Sequence, residues 1–259
     1  MASGMLQDKR VQLSKLERIE SLQDLSDWLS QSGDWLGAFD FPFGLPRELV
    51  RKLGWPLQWE ACIQYYATLS RAQIRDSFAA FCDARPAGAK FARRVTDVPA
   101  GASPSMKWVN PPVAYMLHAG VPLLLQAGVH LPGLHPGDSR DVDASGQPRR
   151  VALEGYPGLL AREVLGRRSY KSDAKARQTP ERLIARKDLV TALEHGQTRL
   201  ELRLKLTHAQ RDVIVDDASG DSLDAVLCLL QAAWASVQGA PLYGLPASMD
   251  ALEGWIVTA

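Results

Sequence analysis

The sequence predicts an α/β protein in which a mixed sheet is flanked by helices. Two patterns carry this reading. Residues 2–6 and 10–15 alternate around the turn-forming Gln7-Asp8-Lys9, as an antiparallel pair of strands would. Two later units share another form: a short apolar run, an acid, a Pro/Gly turn, then a helix. One is Trp35-Leu36-Gly37-Ala38-Phe39 ending on Asp40, and the other is Val151-Ala152-Leu153 ending on Glu154. Short continuous apolar runs between helices read as buried parallel strands.

The helices follow in order. Ser21 is a predicted N-cap, with Leu22, Leu25, Trp28 and Leu29 at spacings of three and four. Pro46 suits the first position of the next helix. Residues 47–82 read as helical, broken near Gly54-Trp55-Pro56. Residues 85–110 and 130–148 are rich in Pro and Gly and are predicted loops, with an apolar helix over 112–126 between them. Residues 180–193 and 207–215 are predicted helices. Residues 221–237 form the strongest, because Leu223, Val226, Leu227, Leu230, Ala233 and Trp234 make one stripe. The whole is expected to be a single domain over 1–259 with a helical and loop insertion over about 54–148.

With 259 residues, 46% hydrophobic and 23% charged, the chain has material for a core without staples. No apolar stretch approaches the roughly 20 residues of a membrane span. The first ten residues lack the basic and apolar regions of a secretory signal. Cys62, Cys82 and Cys228 are too far apart for a CxxC pair, so a cytoplasmic location is expected. The net charge of +1 argues against a general nucleic-acid coat, but its distribution is uneven. Between Arg149 and Lys187 stand 11 Lys/Arg against 4 Asp/Glu, and from Asp212 onward 7 Asp/Glu and no Lys or Arg. That separation could set a basic rim beside an acidic site, or merely balance solvated faces.

The acids are the candidate chemistry. Ligands of open α/β sheets bind beyond the carboxyl ends of strands, where Asp40 and Glu154 stand. Asp221 and Asp224 lie three apart on one face at the start of the last helix. Hard cations prefer such oxygen ligands, so Asp40, Asp221 and Asp224 are candidate ligands for Mg²⁺ or Mn²⁺. Asp40, Glu154 and Asp224 are candidate catalytic residues for two-metal phosphodiester hydrolysis. Each has a plainer reading: Asp221 as a helix cap, Asp40 bonded to turn amides, Glu154 paired with a cation. Arg93, Arg94, Lys107 and Lys171 are candidates for holding a nucleic-acid backbone, with a solubilising surface as the alternative. Trp55, Trp59, Tyr65 and Tyr66 could stack on bases but more often such residues pack a core. His130 and His135 lack zinc spacing, and Asp138, Asp141 and Asp143 lack the EF-hand pattern. No Ser-His-Asp set, GxGxxG or Walker loop is present, and no Gly-rich phosphate hairpin supports a phosphotransferase.

Five stretches stand out together: Ala38-Phe39-Asp40-Phe41-Pro42-Phe43-Gly44-Leu45-Pro46, Ser103-Pro104-Ser105-Met106-Lys107, Pro111-Pro112-Val113-Ala114-Tyr115-Met116, Glu154-Gly155-Tyr156-Pro157-Gly158 with Tyr170-Lys171-Ser172-Asp173, and Asp221-Ser222-Leu223-Asp224-Ala225. In this order they resemble a bacterial family, domain-of-unknown-function family 429, whose members are predicted ribonuclease-H-like nucleases. The acid-x-x-Asp-Ala pattern also resembles that of Holliday-junction resolvases, which implies magnesium binding by Asp224 and Asp221. The resemblance implies a ribonuclease-H-like mixed sheet, a metal-dependent hydrolase and a nucleic-acid partner.

Such a sheet opens with a central strand ending in an acid, and none precedes residues 2–6. The expectation is therefore a sheet lacking its first central strand, because the chain begins upstream of Met1 or is truncated. Unpaired backbone groups or mispairing would follow. As written, the chain is expected to fold poorly and to lack activity unless that strand is restored. The alternative is a non-catalytic module that binds nucleic acid or protein.

Overall fold

A computed structural model describes residues 1–259. Strands β1 (Ala2–Gln7) and β2 (Arg10–Leu16) form the expected hairpin. Asp8 and Lys9 turn it with φ of 47° and 60°, the left-handed values that a tight two-residue connection demands. Helix α1 (Leu22–Leu29) starts where Ser21 accepts the amide of Asp24. Strand β3 (Trp35–Phe39) leads through Asp40 to α2 (Arg47–Lys52), α3 (Trp59–Thr68) and α4 (Arg71–Asp83). Besides the break at Gly54, the helical stretch breaks again before Ser70, which closes a capping box with Gln73. The short α5 (Asp97–Ala100) interrupts the predicted loop, and α6 (Val113–Gln126) follows. Then come β4 (Arg150–Glu154), α7 (Pro157–Leu165), α8 (Pro180–His195), β5 (Arg203–Lys205), α9 (His208–Asp216) and α10 (Asp221–Gln238).

The strands fall into two sheets. One is mixed, in the order β1-β2-β5, with β2 antiparallel to β1 and parallel to β5. The other is the parallel pair β3-β4, in register from Trp35/Arg150 to Phe39/Glu154. Bridges from His130 and Ile256 occupy the second edge of β4. No strand pairs with the second edge of β1 or of β3. Consequently β3 is half-buried along its length, not fully buried as its apolar run suggested, while β4 is buried from Val151 onward. One edge of β1 and one edge of β3 therefore stay open.

Helix α10 joins the two sheets, packing on β1, β2 and β3. Its predicted stripe is in place: Leu223, Val226, Leu227 and Leu230 are buried against Val11, Leu13, Leu189, Leu193 and Ile214. Each such side chain contributes roughly 1.5–3 kcal/mol by leaving water. A second core gathers Trp55, Trp59, Tyr66, Phe78 and Leu117 with Leu29, Phe43, Leu45, Leu49 and Ala152. The 54–148 stretch thus shares its core with flanking segments. No helix is long and apolar enough to cross a membrane.

Candidate acidic site

Between the free edges of β1 and β3 lies a groove of about 610 Å³. Its walls include Ala2, Gly4 and Leu6 on one side and all of β3 on the other, and α10 supplies Ala225, Cys228, Leu229 and Ala232. The lining is mostly apolar, yet the groove is open, so water can satisfy the strand edges. Asp40, Asp221 and Asp224 also line it.

Asp40 and Asp224 are brought together by two local features. Asp40 is the residue at which β3 stops pairing, before the Phe-Pro turn. Asp224 lies in the first turn of α10, where the helix dipole favours negative charge. Asp40 is open to solvent, but surrounding protein displaces enough water to push its carboxyl up to about 7, and Asp224 adds to the shift while Lys171 opposes it. Asp224 is only 7% exposed and burial raises its carboxyl too, against bonds donated by the Lys171 ammonium and the Tyr170 hydroxyl. Asp221 is exposed and accepts from the Ser219 hydroxyl at 3.0 Å. The capping expected of it falls to Asp217, which accepts the amide of Ser222 at 2.8 Å.

Glu154 lies near this pair but is committed elsewhere. It is 4% exposed, with Oε1 2.6 Å and Oε2 2.7 Å from the Arg94 guanidinium, and Oε2 also accepts the Phe43 amide at 2.8 Å. Burial pushes its carboxyl up, and these partners pull the other way. With its oxygens so engaged, Glu154 is a structural acid here and not the free carboxylate that catalysis was expected to use.

Arg94 requires the matching correction. The sequence put it on an exposed loop against a phosphate backbone, whereas it is 2% exposed, held by Glu154 and by Asp97, and donates to the Glu253 carbonyl at 3.1 Å. It cannot reach a bound polyanion. Arg93 is exposed and donates to the Ala102 carbonyl at 2.9 Å. Lys107 folds back onto the Asn110 carbonyl. Lys171 is exposed, but its ammonium bonds to Asp224. Trp55, Trp59 and Tyr66 are buried in the core, and only Tyr65 is exposed.

Tyr170, Asp97, Asp217 and Glu253 were not singled out from sequence. Only Tyr170 carried a signal, as the neighbour of Lys171 in a quoted segment.

Carboxylate oxygens are the right donors for Mg²⁺ or Mn²⁺. The set is incomplete, however: no group of three or more His, Cys, Asp or Glu side chains is arranged to hold a metal ion. Asp40, Asp221 and Asp224 line one groove, Asp224 is engaged by Lys171 and Tyr170, and Glu154 is locked by Arg94. Compared with known protein families, curated proteins and solved structures, the chain matches none.

Proposed function

We propose that this chain is the frame of a ribonuclease-H-like hydrolase acting on phosphodiester bonds of nucleic acid, with an acidic centre that one more strand completes. The observation that carries this reading is the placement of Asp40 and Asp224 beside an open groove between two unpaired strand edges. Strands in a sheet lie about 4.8 Å apart, and five residues span about 17 Å. An extended segment of that length, apolar on alternate residues, would satisfy both edges at once and cover β3. A carboxylate on it near Asp40 would supply the third oxygen donor that a Mg²⁺ or Mn²⁺ site lacks. The sequence resemblance of the Asp40 and Asp224 segments to family 429 points the same way, and three buried free thiols suit a cytoplasmic setting.

The test supplies the strand. A five- to seven-residue apolar strand ending in Asp is fused through a hairpin turn ahead of Met1, or added as a peptide. Mn²⁺ binding is followed by calorimetry, and cleavage of single-stranded, duplex, hybrid and branched nucleic acids is followed with labelled substrates. The reading requires metal binding and cleavage that both disappear in Asp40→Asn and Asp224→Asn. Failure of every strand-supplied form to bind metal would discard it.

A second reading, a non-catalytic binding module on the same frame, is favoured by the engagement of Glu154 with Arg94 and of Asp224 with Lys171. It requires nucleic-acid or protein binding that is indifferent to divalent metal.

A further inference from the structure

A second groove, of about 880 Å³, lies between α2 and the C-terminal part of α4 and shares no lining residue with the acidic one. Its floor is apolar and is made by Leu53, Ala80, Phe81 and Ala84. Ala80 and Ala84 are four apart, hence on one face, and both are exposed, so their short side chains leave the floor low. The charges around it are one-sided. Arg47, Arg51 and Lys52 come from α2 and Arg85 from the end of α4, against Glu48 as the one acid.

Two of these cations are fixed and two are free. Arg47 is held by both oxygens of Asp250. Arg85 bonds Glu48 and donates to the Ala89 carbonyl at 2.7 Å, while its guanidinium lies 5.0 Å from the centre of the Phe81 ring. Arg51 and Lys52 are exposed and pair with no acid of the chain. Their place in the last turn of α2 suits the helix dipole, but the dipole asks for no apolar floor beside them.

Charge and floor together select the occupant. Glu48 is taken up by Arg85, so unmatched positive charge borders an apolar surface. Its complement is an acidic segment that also carries an aliphatic side chain. A single-stranded polynucleotide would supply the charge, but its bases stack on open aromatic faces. The one aromatic ring here, Phe81, is 5% exposed and has Arg85 over it.

We propose that the groove between α2 and α4 docks an acidic peptide segment of a protein partner. Arg51 and Lys52 bind its carboxylates, and an aliphatic side chain sits over Ala80 and Ala84. This holds whether or not the acidic centre is catalytic, because the two grooves have no residue in common.

The test uses two labelled nine-residue peptides that differ at one position: four Glu surround a central Leu in the first and a central Ser in the second. A labelled oligothymidylate is the third probe. Fluorescence anisotropy is read for wild type, for Arg51→Glu/Lys52→Glu, and for Lys175→Glu/Arg177→Glu, which changes the net charge equally at another exposed site. Melting temperatures confirm folding, and Arg51→Gln/Lys52→Gln replaces the first variant if the reversal unfolds the chain. Wild type should bind the Leu peptide at least fivefold more tightly than the Ser peptide. R51E/K52E should lose at least tenfold, and K175E/R177E should stay within twofold. Equal affinity for the two peptides, or equal losses in the two variants, would mean attraction by charge alone and would overturn the proposal. So would no binding of the Leu peptide at millimolar concentration. Oligothymidylate that displaces the peptide and is itself lost in R51E/K52E would assign the groove to nucleic acid instead.

Discussion

Arg94 and Glu154, sixty positions apart, meet in a two-point ion pair at 2.6 and 2.7 Å beneath the end of β4. The guanidinium also grips Asp97 and the Glu253 carbonyl, so one side chain ties a loop, a strand end and the C-terminal segment together. Removing one partner of such a pair leaves an uncompensated buried charge and costs about 3–5 kcal/mol. Arg94→Met strands both Glu154 and Asp97 and is expected at the upper part of that range in urea unfolding. Adding Glu154→Leu should recover part of the loss. An R94M protein within about 1 kcal/mol of wild type would show that the network has no structural weight.

Asp40 gives a pH dependence of defined sign. Its carboxyl titrates near 7 in the folded chain and near 3.8 when unfolded. Well below the unfolded value, under about pH 3, both states are protonated and the group contributes nothing to the balance. As pH rises from about 4 to 7, the unfolded chain ionises first, so this residue progressively destabilises the fold, and the effect is complete above 7. Asp40→Asn should therefore gain stability relative to wild type across that window and hold the gain at pH 8. The check is the difference in melting temperature between the two proteins at pH 4, 5.5, 7 and 8. A difference that stays flat would mean that Asp40 is not desolvated.

The open groove is expected to register in amide exchange. Strand β4 is bonded on both edges, with His130 donating to the Arg150 carbonyl, Ala152 donating back to His130, and Val257 donating to Glu154. Strand β3 has only β4. Local opening is easiest where one edge is solvated and few contacts hold a segment. Amides of β3 should exchange well before those of β4, and a peptide seated in the groove should slow β3 and β1 together. Equal protection of the two strands without any peptide would mean that the groove is closed in solution.

What could be read from the sequence was what is local. The hairpin, the Asp40 and Glu154 units and the stripe of α10 each announce themselves within a few residues, through turn chemistry or periodicity. Strand β5 did not: Arg203-Leu204-Lys205 has one buried residue and is a strand only because β2 pairs with it. Which acid stays free was equally invisible. Asp40 and Glu154 have the same local pattern, and they differ because Arg94 reaches one and not the other. Arg94 itself lay among loop residues whose composition gave no sign of burial.

Gly220 tests how firmly the loop of Lys171 is placed. Its left-handed φ costs an L-residue roughly 1–2 kcal/mol, and the added Cβ of Gly220→Ala would press on the Lys171 Cβ and on the Tyr170 ring. The variant should lose at least that much stability, and the Tyr170–Asp224 contact should loosen, visible as increased Tyr170 accessibility in ultraviolet difference spectra. A fully stable G220A with unchanged tyrosine absorption would show that the loop adapts freely.

Of the four cations nominated for a polynucleotide backbone, Arg93 is the exposed one whose bond is to a backbone carbonyl and leaves most of its guanidinium donors free. Contacts to phosphate are independent of base sequence and release counterions, so each contributes about 0.7–0.9 to the slope of log affinity against log salt. If the chain holds nucleic acid as proposed, Arg93→Ala should weaken that binding by a similar factor for different sequences and lower the slope by about 1, with no loss of stability. Arg94→Ala, next to it in sequence, should instead act through unfolding. A flat salt dependence in the wild type, or an R93A protein that discriminates among sequences, would remove Arg93 from any backbone contact.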